Sequence, residues 1–309
     1  MLFSILIPAY KAGYLKCALN SLLRQTYRNF EIIIVDDCSP ENIETIVEQY
    51  KDDRIFYYRN IKNIGAIDVV DNWNKCLDYA NGEYVICMGD DDELLPNTLQ
   101  EYFFLIKRYP GIGLVHGWTQ IIDESSNVFD LQDMRPEHES AYSLIWHRWN
   151  YRRRQYIGDF CFRRDLLVAN GGFYKLPLAW ASDDISAIIA ATHLGVANTQ
   201  VPCFRYRVNS QTISKSSNDQ IKVEAILLER KWYESFLETR PTNDLDLTFY
   251  RLLLDSWDKH WEKKIASYVG QDMRSKPYKT LWWFLHKKNY SLSVQGYIRA
   301  VFNALIYKN

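Results

Sequence analysis

In the first 120 residues, apolar runs rich in Ile, Val and Tyr alternate with stretches whose apolar positions repeat at helical spacing. The runs are LFSILI (2–7), FEIIIV (30–35), RIFYY (54–58), EYVICM (83–88) and IGLVHGW (112–118). Between them, Leu15, Ala18, Leu19, Leu22 and Leu23 make one stripe, Ile43, Ile46, Val47 and Tyr50 a second, and Leu95, Leu99, Phe103 and Ile106 a third, with Pro96 suited to a first helical turn. Near-continuous apolar strands alternating with amphipathic helices imply an α/β fold whose mostly parallel sheet is covered on both faces. Such sheets bind ligands at the carboxyl ends of their strands.

Read by that rule, strand one exits into Pro8-Ala9-Tyr10, strand two into Asp36-Asp37, and strand four into Asp90-Asp91-Asp92. Two acidic groups and a tyrosine are therefore expected on one crevice. Crowded carboxylates repel, and burial worsens the cost. The run either lies open to water, as a solvated turn before a helix, or receives a cation. Hard divalent ions such as Mg²⁺ or Mn²⁺ take one or two carboxylates together with phosphate oxygens of a substrate. Asp37 suits a nucleobase N–H and equally a helix cap; Tyr10 suits a base face and equally ordinary packing.

The pattern dissolves from Asp123 to about Gln155, which reads as an irregular insertion. It returns with YIGDFCF (156–162), the turn Asn170-Gly171-Gly172-Phe173, a helix expected over Ser182–His193 and a strand over Val196–Tyr206. Ser182-Asp183-Asp184 opens that helix. Acids there are favoured by the helix dipole, and they also suit a general base. Beyond Ser217 the chain reads helical, with the boundary near Asn209–Asn218.

The net charge of −1 argues against a generic nucleic-acid binder. From His260 onward, however, nine Lys/Arg face two acids, interleaved with aromatics in LWWFLHKK (281–288) and GYIRAVFNALIYKN (296–309). Such a surface suits contact with anionic lipid, and equally packing with snorkelled charges. Six scattered cysteines without CxxC spacing read as reduced thiols of a cytoplasmic protein. The first residues lack a basic leader and meet Pro8 early, so no signal peptide is expected, and no run is long enough for a spanning helix. His116, His147 and His193 have no partner at ligand spacing and read as structural.

FSILIPAYKAGYLKCALNSLLRQTYRNFEIIIVDDCSPENIET (3–45), NIGAIDVVDNWNKCLDYANGEYVICMGDDDELLP (63–96), FRRDLLVANGGFYK (162–175) followed by SDD, and RYRVNSQTIS (205–214) together resemble family-2 glycosyltransferases of the GT-A fold, over about residues 1–215. The resemblance implies a catalytic domain at 1–215, with a nucleotide-binding half at 1–120 and an acceptor half at 121–215, and a helical appendage at 216–309. It implies an inverting transferase that uses a nucleotide-sugar donor, UDP favoured, a glycan or lipid-linked glycan acceptor, and Mn²⁺ or Mg²⁺ on the diphosphate. Carried over by position, Pro8, Ala9, Tyr10, Asp37 and Asp90 hold the nucleotide, and Asp91 and Asp92 the metal. Asp184 is the general base, with Asp183 beside it. A catalytically degenerate nucleotide-sugar-binding protein is the alternative. Three departures stand out: Gly89 where the family often has the first acid of its metal motif, Asp71-Asn72 in place of Arg-Asn, and Asp183-Asp184 in place of Glu-Asp.

Overall fold

The computed structural model describes residues 1–209 and 219–306. The chain forms two compact units, Met1–Lys175 with Ser182–Ser210, and Leu176–Ala181 with Gln211–Asn309. The expected boundary at 215 falls outside the described residues.

The first unit begins β1 (Phe3–Ala9), α1 (Leu15–Leu23), β2 (Phe30–Asp36), α2 (Ile43–Val47), β3 (Ile55–Arg59), α3 (Val69–Tyr79) and β4 (Tyr84–Cys87). A two-residue β5 (Glu93–Leu94), α4 (Thr98–Arg108), β6 (Leu114–Ile122), β7 (Val128–Leu131), β8 (His138–Glu139) and α5 (Ala141–Trp149) follow. It ends with β9 (Phe160–Arg163), α6 (Arg164–Ala169), α7 (Ser182–Ala191) and β10 (Val196–Arg207). The sheet runs β3-β2-β1-β4-β9-β6-β10-β5, with β7 beside β6 and β8 beside β10. The pairings set β1, β2, β3, β4, β6 and β10 in one direction and β5, β7, β8 and β9 in the other.

Every residue of β2 is buried, as the unbroken apolar run required, because helices cover both faces. Phe3, Ile5 and Ile7 of β1 pack with Leu15, Ala18, Leu19 and Leu22 of α1 in the main core. Each such aliphatic side chain contributes about 1.5–3 kcal/mol on burial. Register then fixes the site: Ala9 pairs with Asp36, and Asp36 with Arg59, so the exits of β1, β2 and β3 lie level.

The segment 123–155 is more regular than its sequence suggests, holding β7, β8 and α5. Ser140 caps α5 by accepting the Ser143 N–H at 3.1 Å, and Ala141, Leu144, Ile145 and Trp149 form its buried face. The surrounding His, Arg and Trp hid that stripe. Pro96 precedes α4 by two residues instead of opening it, and its carbonyl accepts the Thr26 N–H at 2.8 Å.

The second unit is helical: α8 (Asp219–Glu238), α9 (Asp244–Ser275), α10 (Thr280–His286) and α11 (Val294–Ile306). Trp261, Ile265, Val269 and Met273 of α9 are buried. Gly270 lets α11 approach, since a Cβ there would stand 2.8 Å from the Ala300 carbonyl. Buried Asp272 accepts the Trp283 indole N–H at 2.8 Å and pairs with Lys276 and Lys279, each at 3.3 Å. The aromatic-basic segments thus pack on one side, while Leu281, Leu285, Ile298, Phe302 and Leu305 are exposed. Among the described residues no helix is long and apolar enough to cross a membrane.

Candidate active site

The common direction of β1, β2, β4, β6 and β10 brings their carboxyl ends to one edge. At the exit of β2, Cys38 takes a left-handed conformation (φ 53°) that turns the chain sharply. Asp36 is fully buried and braces this turn, accepting from the Tyr57 hydroxyl at 2.8 Å, the Ser39 N–H at 2.7 Å and the Arg59 guanidinium. Burial, with the Asp36 contact, pushes the Tyr57 phenol up to about 12.

Asp37 is bonded to the loop after β3. Its Oδ1 accepts from Asn60 Nδ2 (2.9 Å) and the Ile64 N–H (2.8 Å), and its Oδ2 from Asn63 Nδ2 and the Gly65 N–H (both 3.1 Å). Four donors fill a carboxylate's lone-pair directions. A base contact at Asp37 therefore has to displace one of them. Pro8, Ala9 and Tyr10 lie alongside: the Ala9 carbonyl accepts the Asp37 N–H at 2.9 Å, the Tyr10 carbonyl accepts Ser39 Oγ at 2.6 Å, and the Tyr10 ring is exposed.

The acidic turn joins this rim directly. Asp90 Oδ2 accepts the N–H groups of Tyr10 (2.8 Å) and Lys11 (2.7 Å), tying the β4 exit to the β1 exit. Burial, and then the charge of Asp91, pushes the Asp90 carboxyl up to about 6. Burial followed by Asp91 also holds Asp92 well above the usual carboxylate range.

Each of the next two aspartates gives one oxygen to the end of β10 and the residues after it. Asp91 Oδ2 accepts Asn209 Nδ2 at 2.6 Å, and Asp92 Oδ1 accepts the Arg207 N–H at 2.9 Å. The other two oxygens converge over Gly89: a Cβ there would lie 2.6 Å from Asp91 Oδ1 and 3.1 Å from Asp92 Oδ2. The glycine that departs from the acidic motif is what keeps this space open. Among the described residues no group of three or more His, Cys, Asp or Glu side chains forms a closed metal cage. Two carboxylate oxygens facing one space instead suit a divalent ion that takes its remaining ligands from a diphosphate and water.

Sequence reasoning missed the residues that shape this turn. Arg207, fully buried at the end of β10, donates from Nε to the Asp91 carbonyl (2.7 Å) and from Nη2 to Glu93 Oε1 (2.5 Å). Its Nη1 reaches the Asp123 carbonyl at 2.9 Å, and its guanidinium lies 4.5 Å from the centre of the Tyr14 ring. The available signal was an arginine at the exit of a strand expected to join the sheet.

The α7 acid pair belongs to the same edge. Tyr156 stacks on Tyr206 at 3.6 Å. Burial, then Asp159, pushes its phenol up to about 12, and the charges of Asp92 and Arg148 both reach it. Asp184, expected as the proton acceptor, is buried and clamped: Arg148 Nε donates to both of its oxygens, at 3.0 and 3.1 Å, and Gln155 Nε2 donates to Oδ1. Asp183 is partly exposed and accepts the Asp184 N–H at 2.9 Å. Among the described residues no cation lies within ion-pair distance of it. Burial, and then the adjacent Asp184 charge, raises its carboxyl above the ordinary range. Asp71, in the place of the family's arginine, pairs with Lys175 at 2.6 Å, while Asn72 Nδ2 donates to the Val35 carbonyl at 3.1 Å.

The profile of Glycosyl transferase family 2 matches residues 4–171, more than half of the chain. An Escherichia coli protein, UDP-Glc:alpha-D-GlcNAc-diphosphoundecaprenol beta-1,3-glucosyltransferase WfgD, is 30% identical over 224 residues, 72% of this chain and 83% of that one. An uncharacterized glycosyltransferase of Methanocaldococcus jannaschii is 32% identical over 141 residues, 44% of this chain and 47% of that one. The putative colanic acid biosynthesis glycosyl transferase WcaA of Escherichia coli K12 is 41% identical over 104 residues, 33% and 36% of the two chains. The chain thus spans about half or less of the length of these last two. Staphylococcus aureus TarS 1-349, solved with UDP-GlcNAc, superposes with a TM-score of 0.62 at 17% identity, over 98% of this chain and 80% of that one. The Pyrobaculum calidifontis mannosyltransferase PcManGT, solved with GDP-Man and Mn²⁺, gives 0.53 at 17% identity, over 99% and 88%. The likeness shows a shared GT-A-type fold, and together with the profile it identifies the chain as a member of glycosyl transferase family 2.

Proposed function

We propose that this chain transfers a sugar from a nucleoside-diphosphate donor, with UDP-sugars favoured, to a hydroxyl of a glycan or lipid-linked glycan, inverting the anomeric carbon. The observation that carries the reading is the convergence of Asp91 Oδ1 and Asp92 Oδ2 over Gly89, next to the Asp90 link to Tyr10 and Lys11. Crowded acids with two oxygens facing one space fit a divalent ion and a diphosphate. The named donors and metal of TarS, WfgD and PcManGT support the same chemistry.

In this reading Pro8, Ala9 and Tyr10 line the base pocket, with Asp37 as a brace that holds the 60–65 loop against it. Asp91 and Asp92 hold Mn²⁺ or Mg²⁺, which when bound offsets charge on the leaving diphosphate. Asp183 takes the proton of the acceptor hydroxyl as its oxygen attacks the anomeric carbon, and Asp184, fixed by Arg148, orients it. Attack from the face opposite the leaving diphosphate produces inversion. The exposed apolar residues of α10 and α11, with Lys287, Lys288 and Arg299 beside them, suit peripheral contact with anionic lipid on the cytoplasmic side, where a lipid-linked acceptor would lie.

Calorimetric titration of UDP, GDP and dTDP, with and without Mn²⁺, tests this. Metal-dependent binding of one nucleotide is expected; binding of none, under either condition, removes the donor-site reading. Binding without sugar transfer to any acceptor would favour the degenerate binding protein.

A further inference from the structure

On the acceptor half, a small open recess of about 70 Å³ is lined by Arg135, Arg152, Arg153 and Arg154, with Gln132 and one acid, Asp133, among them. Arg135 is 3% exposed. Its Nη2 donates to the Arg154 carbonyl at 2.9 Å, while Nε and Nη1 have no acceptor among the described residues. Arg153 is also buried. It reaches Glu139 only at 3.5 Å, and its Nε likewise has no acceptor there. Guanidinium N–H groups buried without acceptors are costly, and neighbouring like charges add to the cost. Burial lowers the Arg135 pKa to about 10; Asp159 and Glu139 oppose that, and Arg153 and Arg148 reinforce it.

The nearby acids relieve the cluster only in part. Asp159 Oδ2 accepts from Thr119 Oγ1 and Gln132 Nε2, each at 3.1 Å, while its Oδ1 has no donor among the described residues, and Glu139 accepts Ser143 Oγ at 3.2 Å besides pairing with Arg153 at 3.5 Å. Asp130 answers only Arg154, at 2.6 Å. Four arginines around a small open recess, two of them buried with unanswered N–H groups, form a site for a compact anion carrying several acceptor oxygens. Its location adds a second argument. Arg148, which clamps Asp184, donates from Nη1 to the Arg153 carbonyl at 3.1 Å, so the recess and the α7 acid pair are joined through one side chain.

We propose that this recess binds a phosphate ester of the acceptor, so that the acceptor is held by its phosphate while its hydroxyl lies near Asp183. Identifying the ligand as the acceptor rests on the glycosyl-transfer reading; the anion site does not. A lipid diphosphate and a phosphodiester polymer are the two sources of such a group.

The test is titration of the full chain with inorganic phosphate in low-salt, metal-free buffer. It is followed by calorimetry and by tryptophan fluorescence, since Arg152 lies 4.9 Å from the centre of the Trp146 ring. The comparison is Arg152→Gln/Arg154→Gln, two exposed positions whose replacement leaves the core intact. Saturable binding is expected in the parent and weakening by about tenfold or more in the variant, with UDP binding in Mn²⁺ equal in both. No saturation in the parent, or equal phosphate binding in the variant, overturns the proposal. Citrate bound as tightly as phosphate overturns the phosphate assignment. Failure of UDP to bind, with phosphate binding still lost in the variant, removes the donor reading and leaves the recess standing. Farnesyl diphosphate and glycerophosphoglycerol, titrated in parallel, distinguish the two sources by which binds more tightly.

Discussion

Arg207 Nη2 lies 2.5 Å from Glu93 Oε1, a pair 114 positions apart in sequence that locks the last strand of the sheet to the far side of the acidic turn. Orphaning one partner of a buried ion pair costs about 3–5 kcal/mol, but Glu93 would keep Arg205 at 3.4 Å and Ser126 Oγ at 2.8 Å. Arg207→Met should therefore lower stability by up to about 3 kcal/mol in urea unfolding. Arg207→Lys should recover little, because a lysine cannot serve Glu93 and the carbonyls of Asp91 and Asp123 together. A variant as stable as the parent would remove Arg207 as the organiser of the turn.

Gly89→Ala separates folding from metal binding. The added methyl enters the space between Asp91 Oδ1 and Asp92 Oδ2, so the gain in UDP affinity from Mn²⁺ should disappear. Metal-free UDP binding should persist, and the melting temperature should move by no more than about 2 °C, about 1 kcal/mol at this size. Retention of the Mn²⁺ gain would move the metal elsewhere.

Asp183 and Asp184 should differ in kind. Asp183→Asn should reduce kcat by about 10²- to 10⁴-fold with UDP binding unchanged. Asp184→Asn should instead reduce stability, because Arg148 loses its partner. The Asp183 carboxyl is raised, and a base acts only when deprotonated. Activity should therefore climb with pH through a limb above the usual aspartate range, and that limb should vanish in Asp183→Asn. The reverse pattern would return the proton-acceptor role to Asp184.

His116 is buried 3.5 Å from Asp159 with its pKa lowered, chiefly by burial and then by Arg135. Below about pH 6.5 the unfolded chain gains a proton that the folded His116 refuses, so this residue favours unfolding as pH falls. The raised carboxyls act in the opposite sense, so the comparison must be with His116→Gln. Relative to that variant, the parent should lose stability as the pH falls from 7 to 5 in denaturant titrations. Parallel pH profiles would show that His116 carries no such linkage.

The first four strands were legible because a strand buried on both faces has few alternatives: FEIIIVD can only be core, and its exit then falls where the sheet rule puts it. The acid clusters were legible for the same reason. What escaped were features made by distant pairings. β5 is two residues long and exists through Phe204 and Arg205 of β10. Asn209 meets Asp91 across 118 positions, and Arg148 meets Asp184 across 36. Nothing local in DDDELL shows which oxygens will be spoken for. The role of Gly89 likewise depends on where two side chains point after the turn has formed.

The acidic turn is fastened by Arg207 and Asn209, so it is finished only when the final strand arrives. On a growing chain the first four strands can assemble early, while Asp91 and Asp92 stay unrestrained until about a hundred further residues have emerged. Pairings of such long sequence separation form late and slowly. The acidic turn is therefore the last part of the sheet to mature, and a nascent or truncated chain that already looks folded would lack it.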